Sequence, residues 1–505
     1  MLRDGEFRRW TTILGVAFGL RLLYVITALA VNSGHTLFEI LPDTRLYVSG
    51  GHLLGEHGEF LFDNKSSEGG DGELRPEVLV VPGYPAFLAV LFGIFGETAA
   101  AVLIIQAVLS SLSGAMNYAV CCHLVPAESK WWRRFLLGLF VLCPTSIIVS
   151  GFVLSDTLFE FLFVAGLLCF VRSYAAVSPG RWQLLAGALW GLALFSRPIL
   201  LLWPLIVPAL AWLVGLSLGK KIAWRYVLAS LMIPFLVGAT WTLRNWQRRG
   251  IPAFSTNGVA AMRDYFATEV EAVQQGRSFK ATHAEARARF MSTRREGPEA
   301  EREQYHRMSQ EASSIIRSSP VAAAKAAIRR LGEQATEDPA SLLFTHFPGL
   351  QSVYAETLLT GAAKLALLLW IIGIAAMLRS GRTPLVLLAL LVFGYFLALS
   401  SLSSWQGSRL MLPATTFWNL GVAAALGTIA EMKPGRLNLS RDKIAWACLW
   451  IGVFGTWFIS GWSLQPWPSM LMVFLHKAVF STCLVLGLAT GFRLWMETRR
   501  RRLAK

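Results

Sequence analysis

Apolar residues in this chain run in long blocks divided by short polar stretches, rather than alternating with the period of a soluble helix or strand. Blocks near 11–31, 98–122, 135–150, 157–171, 183–197, 198–218, 224–243, 356–378, 383–401, 410–429, 443–462 and 469–493 approach the ~20 residues needed to cross a hydrocarbon core about 30 Å thick. They predict an all-α polytopic membrane protein with about twelve transmembrane helices. A further run, 85–95, is too short to cross and follows Pro82-Gly83-Tyr84, so it reads as a juxtamembrane helix lying on the membrane. Two polar stretches interrupt the blocks, at 32–82 and 245–355. In the second, 282–294, 299–317 and 320–334 read as amphipathic or surface helices. Thr282 with Glu285 has the spacing of a capping box, and Pro320 suits a first helical turn. The expected organisation is an N-terminal membrane domain over 1–244 with a catalytic first loop at 32–82, a helical soluble segment over 245–355 that rests on the membrane helices, and C-terminal transmembrane helices over 356–505.

Composition narrows the class. The chain is 54% hydrophobic and 15% charged, with mean hydropathy +0.50, whereas a soluble chain carries about 25% charge; an ordinary soluble enzyme is excluded. The net charge of +16 does not point to nucleic acid. Most basic residues outside 245–355 sit in short loops such as Arg8/Arg9, Lys130/Arg133/Arg134 and Arg379/Arg382, and in the run at 499–502. By the positive-inside rule these loops face the cytoplasm. Both termini are then cytoplasmic, the membrane is the cytoplasmic (inner) one, and 32–82 and 245–355 face outward. The first block lacks a small-residue cleavage site and reads as a retained span. The six cysteines all lie in apolar stretches with no CxxC spacing, which indicates neither a disulfide framework nor a zinc site.

Candidate chemistry begins with charges that cost energy. A charge inside a bilayer costs roughly 2.5–3.5 kcal/mol on insertion scales unless paired or wetted. Arg21 sits about ten residues into the first block, either locking the bundle in an ion pair or meeting substrate. Asp156 and Glu160, four apart, share one helix face; Asp156 either caps its helix or works with Glu160 in a site where a cation or ligand relieves their repulsion. Asp43 follows the first block, where a carboxylate can be both accessible and partly desolvated, as a general base requires. Arg197, Arg244 and Arg409 lie at the same expected face. Each alone suits a headgroup anchor, but together they suit a phosphate, which a guanidinium fork matches. His35, His52 and His57 with Glu39, Glu56 and Glu59 read as a solvated loop more readily than as metal ligands. Gly69-Gly70-Asp71-Gly72 reads as a turn, and there is no phosphate-cradling glycine loop.

Taken in order, these positions resemble the C-type glycosyltransferases (GT-C fold), the polytopic enzymes that include protein O-mannosyltransferases and lipid A aminoarabinose transferases. The resemblance rests on Asp43 with Tyr47, on Pro82-Gly83-Tyr84-Pro85-Ala86-Phe87 followed by Gln106, on Leu154-Ser155-Asp156-Thr157-Leu158-Phe159, on Ser196-Arg197-Pro198, on Trp241-Thr242-Leu243-Arg244-Asn245, and on Ser408-Arg409-Leu410-Met411-Leu412-Pro413. It covers most of the chain from about 10 to 430. Two departures stand out. Asp43 is followed by Thr44 where many relatives carry a second acid, and the frequent arginine before the Pro-Gly-Tyr run is absent locally, with Arg75 as a substitute.

The resemblance implies an inverting transferase of the cell envelope. It would move a sugar from a polyprenyl-phosphate donor to a lipid, glycan or protein acceptor on the extracytoplasmic face, with membrane lipids as surroundings and no nucleic acid. Asp43 and Asp156 would be the catalytic acids, Asp43 as the base and Asp156 orienting the acceptor or an arginine. Arg409, Arg244 and Arg197 would bind the donor phosphate, while Tyr47, Tyr84, Glu160 and Arg21 would line the substrate pocket. No cofactor is implied, and a divalent metal stays open. A transporter or flippase of a lipid-linked sugar and a non-catalytic envelope scaffold are the rival classes. Neither needs the acids and arginines to converge, and transporters of this size often show repeats that this chain lacks.

Overall fold

The computed structural model describes residues 4–431 apart from 33–36, 64–73, 126–129, 222, 293–297, 337–339, 352 and 403–406; the blocks expected at 443–462 and 469–493 and the arginine run lie outside the described residues. The chain opens with α1 (Asp4–Val31) and α2 (Pro42–His57), then a two-stranded ribbon of β1 (Leu61–Asp63) and β2 (Leu74–Pro76). The strands are antiparallel, with Phe62 opposite Arg75. Next come α3 (Gly83–Phe95), α4 (Ala99–Leu124), α5 (Lys130–Val141), α6 (Pro144–Val149), α7 (Ser155–Ser173), α8 (Pro179–Ser196), α9 (Trp203–Leu218) and α10 (Trp224–Arg249). The polar segment contributes α11 (Asn257–Ala261), a π-helix (Met262–Ala267), α12 (Thr268–Gln275), α13 (Phe279–Ser292), α14 (Pro298–Ser318), α15 (Pro320–Thr336) and α16 (Ala340–His346). The described part closes with α17 (Val353–Arg379), α18 (Thr383–Leu402), a 3-10 turn (Gly407–Ala414) and α19 (Thr415–Glu431).

Seven helical stretches are long and apolar enough to cross a membrane, and they coincide with seven of the ten apolar blocks in the described part. The chain is an all-α membrane protein. The other three blocks fall short for physical reasons: α7 holds Asp156, Glu160 and Arg172 within 19 residues, α8 begins with Pro179, Arg181 and Gln183, and α9 is 16 residues long. The 13-residue α3 matches the short helix expected at 85–95.

Helices in a bilayer gain little from the hydrophobic effect on meeting one another, so close backbone approach decides their packing. Glycines mark the crossings. A Cβ on Gly166 of α7 would lie 2.6 Å from the Trp190 ring of α8, and one on Gly187 of α8 would lie 2.8 Å from the Ala229 carbonyl of α10. At the α17–α19 crossing a Cβ on Gly373 would run into the Gly421 carbonyl. Around these contacts α1, α4, α7, α8 and α10 form one group, and α5, α17, α18 and α19 a second.

The polar segment has a small core of Phe266, Val270 and Ala326, with Arg263 buried beside it, bonded to Glu311 (3.3 Å), Asp264 (2.8 Å) and the Ala286 carbonyl (3.1 Å). Helix α15 starts at Pro320, as expected, and packs against α17 and α18. The capping box expected at Thr282 is not formed. Helix α13 begins three residues earlier because Ser278 accepts the Ala281 amide (3.3 Å), while Thr282 lies one turn inside, donating to the Ser278 carbonyl (3.1 Å), and Glu285 pairs with Arg277.

Leucine at Gly166 or Gly373 is expected to cost about 1–3 kcal/mol or more through overpacking. Gly15→Leu, where a Cβ meets nothing within 4 Å, is the near-neutral control. Thermal unfolding in detergent measures all three.

Candidate active site

Four charged side chains from distant parts of the chain form one array. Asp43 is the second residue of α2, after Pro42, whose fixed φ suits a first turn. Asp156 holds the equivalent position in α7, where a helix N-terminus favours a carboxylate. The residue at the cap position of α7 is Leu154, with no side-chain cap, so Asp156 does not cap its helix. Arg197 leaves α8 in extended backbone, the conformation that Pro198 imposes on its predecessor. Arg409 lies in the 3-10 turn before α19.

Arg409 Nη2 donates to Asp43 Oδ2 at 2.8 Å, and its Nη1 stands 4.0 Å from Asp156 Oδ2. Asp156 Oδ1 accepts from Arg197 Nη1. The order is therefore acid, arginine, acid, arginine. Asp43 is 35% exposed, against 6% for Arg409 and 1% for Asp156, so Asp43 is the accessible member. Arg409 Nε and Asp156 Oδ2 are buried and have no hydrogen-bond partner among the described residues.

The array is held from behind. Tyr47 Oη and Ser155 Oγ are 3.1 Å apart, and burial pushes the Tyr47 phenol up, keeping it neutral. Its ring meets Tyr84 edge-on at 5.1 Å. Tyr84 Oη donates to Gln106 Oε1 (2.5 Å), Gln106 Nε2 to the Phe152 carbonyl (2.6 Å), and Thr44 Oγ1 to the Val153 carbonyl (3.1 Å). These bonds lash the 150–154 loop to α2, α3 and α4, fixing Asp156 relative to Asp43. Gly83 adds a close contact, since a Cβ there would lie 2.6 Å from the Phe195 carbonyl carbon, two residues before Arg197.

Two spaces adjoin the array. A cleft of about 70 Å³ is lined by Asp43, Leu46, Tyr47, Leu79, Val80, Val81, Ser196, Arg197, Pro198 and Asn257. An apolar groove of about 480 Å³ runs between α5, α17 and α19, from Met411 and Gln334 at one end to Arg134 and Leu426, with Leu139, Ala366, Phe393 and Trp418 along it. Asp43 and Arg197 line the cleft, and Met411 of the groove is two residues beyond Arg409 in the chain.

Other candidate residues lie elsewhere. Arg21 is fully buried, donating to Ser110 Oγ (2.8 Å) and to the carbonyls of Ala17 (3.1 Å) and Val141 (3.2 Å). It braces α1 against α4 and α5. Glu160 accepts from Ser146 Oγ at 3.3 Å, one turn along α7 from Asp156. Arg244 donates to the carbonyls of Glu77 (2.7 Å) and Phe60 (3.1 Å), tying the ribbon to α10. Arg75 joins this brace through Glu301 (3.6 Å). His52 pairs with Glu97 at 2.9 Å, and His35 lies outside the described residues. Among the described residues no three His, Cys, Asp or Glu side chains gather as metal ligands.

Three residues here escaped sequence reasoning. Glu77, buried with its carboxyl pushed up by desolvation, accepts the Leu79 and Val80 amides and shapes one cleft wall. Asn257 sits at the cleft from the polar segment. His346 ends α16, where its Nε2 faces the Gly151 carbonyl at 3.0 Å and its Nδ1 the Asn32 amide at 3.4 Å. A lone glutamate, asparagine or histidine in a polar stretch carries no periodicity or spacing that would have flagged it.

Burial lowers the His346 imidazole to about 4. An unfolded histidine titrates near 6.5, so the folded state binds the proton less well. The stability that His346 contributes is present above about pH 6.5 and is lost as pH falls toward 4, by up to about 3 kcal/mol. His346→Gln is expected to flatten that part of a stability-versus-pH curve measured by thermal unfolding.

No family model and no curated protein matches the chain. Among solved structures it is similar to the archaeal oligosaccharyltransferase AglB from Archaeoglobus fulgidus in complex with an inhibitory peptide and a dolichol-phosphate, at 12% identity and TM-score 0.42, over 94% of this chain and 55% of that one. The apo form of the Archaeoglobus fulgidus oligosaccharyltransferase matches at 13% identity and TM-score 0.40, over 94% and 56%. The chain thus spans a little over half the length of the structures it resembles.

Proposed function

We propose that this chain is an inverting glycosyltransferase that moves a sugar from a polyprenyl phosphate to an acceptor hydroxyl or amine at the extracytoplasmic face of the inner membrane. The observation that carries the reading is the Asp43–Arg409–Asp156–Arg197 array, which opens on a cleft through Asp43 and Arg197. Such a reaction needs a base on one side of the anomeric carbon, a cation for the leaving phosphate, and a dry channel for the lipid. A compartment without nucleotide sugars needs a donor that carries its own anchor. The ordered sequence motifs point the same way.

In this mechanism Asp43 accepts the proton of the acceptor group. The acceptor oxygen or nitrogen bonds to the anomeric carbon in line as the bond from that carbon to the phosphate oxygen breaks, and the electron pair leaves on polyprenyl phosphate. Arg409 and Arg197 are aimed beforehand at the growing charge, which is worth more in a dry site than in water. Asp156 holds both guanidinium groups in place. The prenyl tail lies in the groove along α19, where Thr415 to Leu426 rises about 17 Å. Arg244 acts at one remove, by holding the ribbon, and Arg21 and Glu160 keep α7 and its Asp156 in register.

One consequence separates binding from chemistry. Arg409 is paired with Asp43, so donor phosphate must take Arg409 from Asp43, and in doing so it frees the base. Donor binding thereby precedes acceptor activation.

Asp43→Asn is expected to reduce transfer by about 10²–10⁴-fold while binding donor more tightly than the wild type, because the competing charge is gone. Mass spectrometry of products from polyprenyl-phosphate sugars with the purified protein in lipid, together with donor titration, measures both. Full activity in that variant would exclude Asp43 as the base. Arg409→Lys, which keeps the charge but loses the fork, is expected to cost about 10²–10³-fold in turnover; unchanged donor kinetics would move phosphate binding to another residue.

A further inference from the structure

The cleft beside Asp43 has a wall supplied by the polar segment, and that wall is fastened rather than merely adjacent. Ser255 Oγ donates to the Leu79 carbonyl at 2.5 Å, and the Thr256 amide donates to the Val78 carbonyl at 2.9 Å. The Asn257 amide then donates to Ser255 Oγ at 3.2 Å. These bonds pin the turn before α11 to the strand of chain that runs on as Leu79, Val80 and Val81, which also line the cleft. Asn257 is thereby fixed in the lining of the cleft that Asp43 and Arg197 also line. The π-helix that follows α11 is anchored in turn: Tyr265 stacks on His283 (5.7 Å), His283 on Phe279 (5.4 Å), and the Arg330 guanidinium covers Phe279 (5.7 Å).

The chemistry of the lining leaves one group for recognition. Asp43 and Arg197 are engaged in the ion-pair array. The Ser196 hydroxyl is spent on the Leu192 carbonyl at 3.1 Å, and the Tyr47 hydroxyl on Ser155. Leu46, Leu79, Val80 and Val81 are apolar. Asn257 contributes a neutral carboxamide that both donates and accepts, which matches a sugar hydroxyl, itself donor and acceptor.

We infer that Asn257 is a specificity-determining residue that reads a hydroxyl of the sugar being transferred. The inference rests on the transferase reading above. A site that hydrogen-bonds a substrate hydroxyl rejects the analogue lacking it far more strongly than an apolar pocket rejects a missing methylene.

The test uses the full-length protein in lipid with polyprenyl-phosphate hexoses and their singly deoxygenated analogues. The expected result is transfer from a hexose, with one deoxy analogue reduced about tenfold or more in kcat/KM. Asn257→Ala should lower the parent hexose by a similar factor, and the substitution and the deoxygenation together should cost no more than either alone. Asn257→Ser, which keeps a smaller hydroxyl partner, should recover part of the loss. Equal loss on the parent and on every deoxy analogue, or unchanged discrimination, would overturn the inference and leave the transferase reading intact. Transfer from none of the carriers by the wild type would overturn both.

Discussion

A guanidinium group at the end of a membrane helix bundle needs compensating charge, and Arg409 finds it in two acids that are 366 and 253 residues away in sequence. Each of the three buried members, Asp156, Arg197 and Arg409, would be costly alone, and removing one partner of a buried pair costs more than the pair itself contributes. Much of the surrounding architecture follows from that demand. The Thr44, Tyr84 and Gln106 hydrogen bonds hold the 150–154 loop, and the loop sets the start of α7. The ion pairs thus constrain which helix ends meet, while the glycine crossings constrain how closely the helices behind them approach.

The array carries two positive and two negative charges and balances internally. A phosphate diester entering it brings one more negative charge and must find donors. Arg409 Nε, which has no partner among the described residues, is such a donor, and the Asp43 contact is the exposed one that water already weakens. Under the transferase reading, the array would take up that anion by exchange of partners.

Asp43, Asp156, Arg197 and Arg409 were legible in the sequence because charges beside apolar blocks are expensive and so stand out. Their meeting was not legible, since separation along the chain says nothing about which helix ends adjoin. Arg244 gives the same signal, yet its donors go to the Phe60 and Glu77 carbonyls, because the first loop returns over the end of α10 and leaves backbone acceptors there. Arg21 likewise resolves into a brace among α1, α4 and α5. The helical membrane class was plain from block length, whereas α7 and α8 fall below an apolar threshold because they carry polar residues at their ends. His346 matters through its contact with the Gly151 carbonyl and Asn257 through its placement at the cleft, which no local pattern encodes.

The glycine at position 83 has a wider meaning. With main chain pressed on main chain at Phe195 and Ser196, the short helix α3 and the end of α8 form a joint with no side chain to yield between them. The short helix is therefore a stop against which the backbone leading into Arg197 is set.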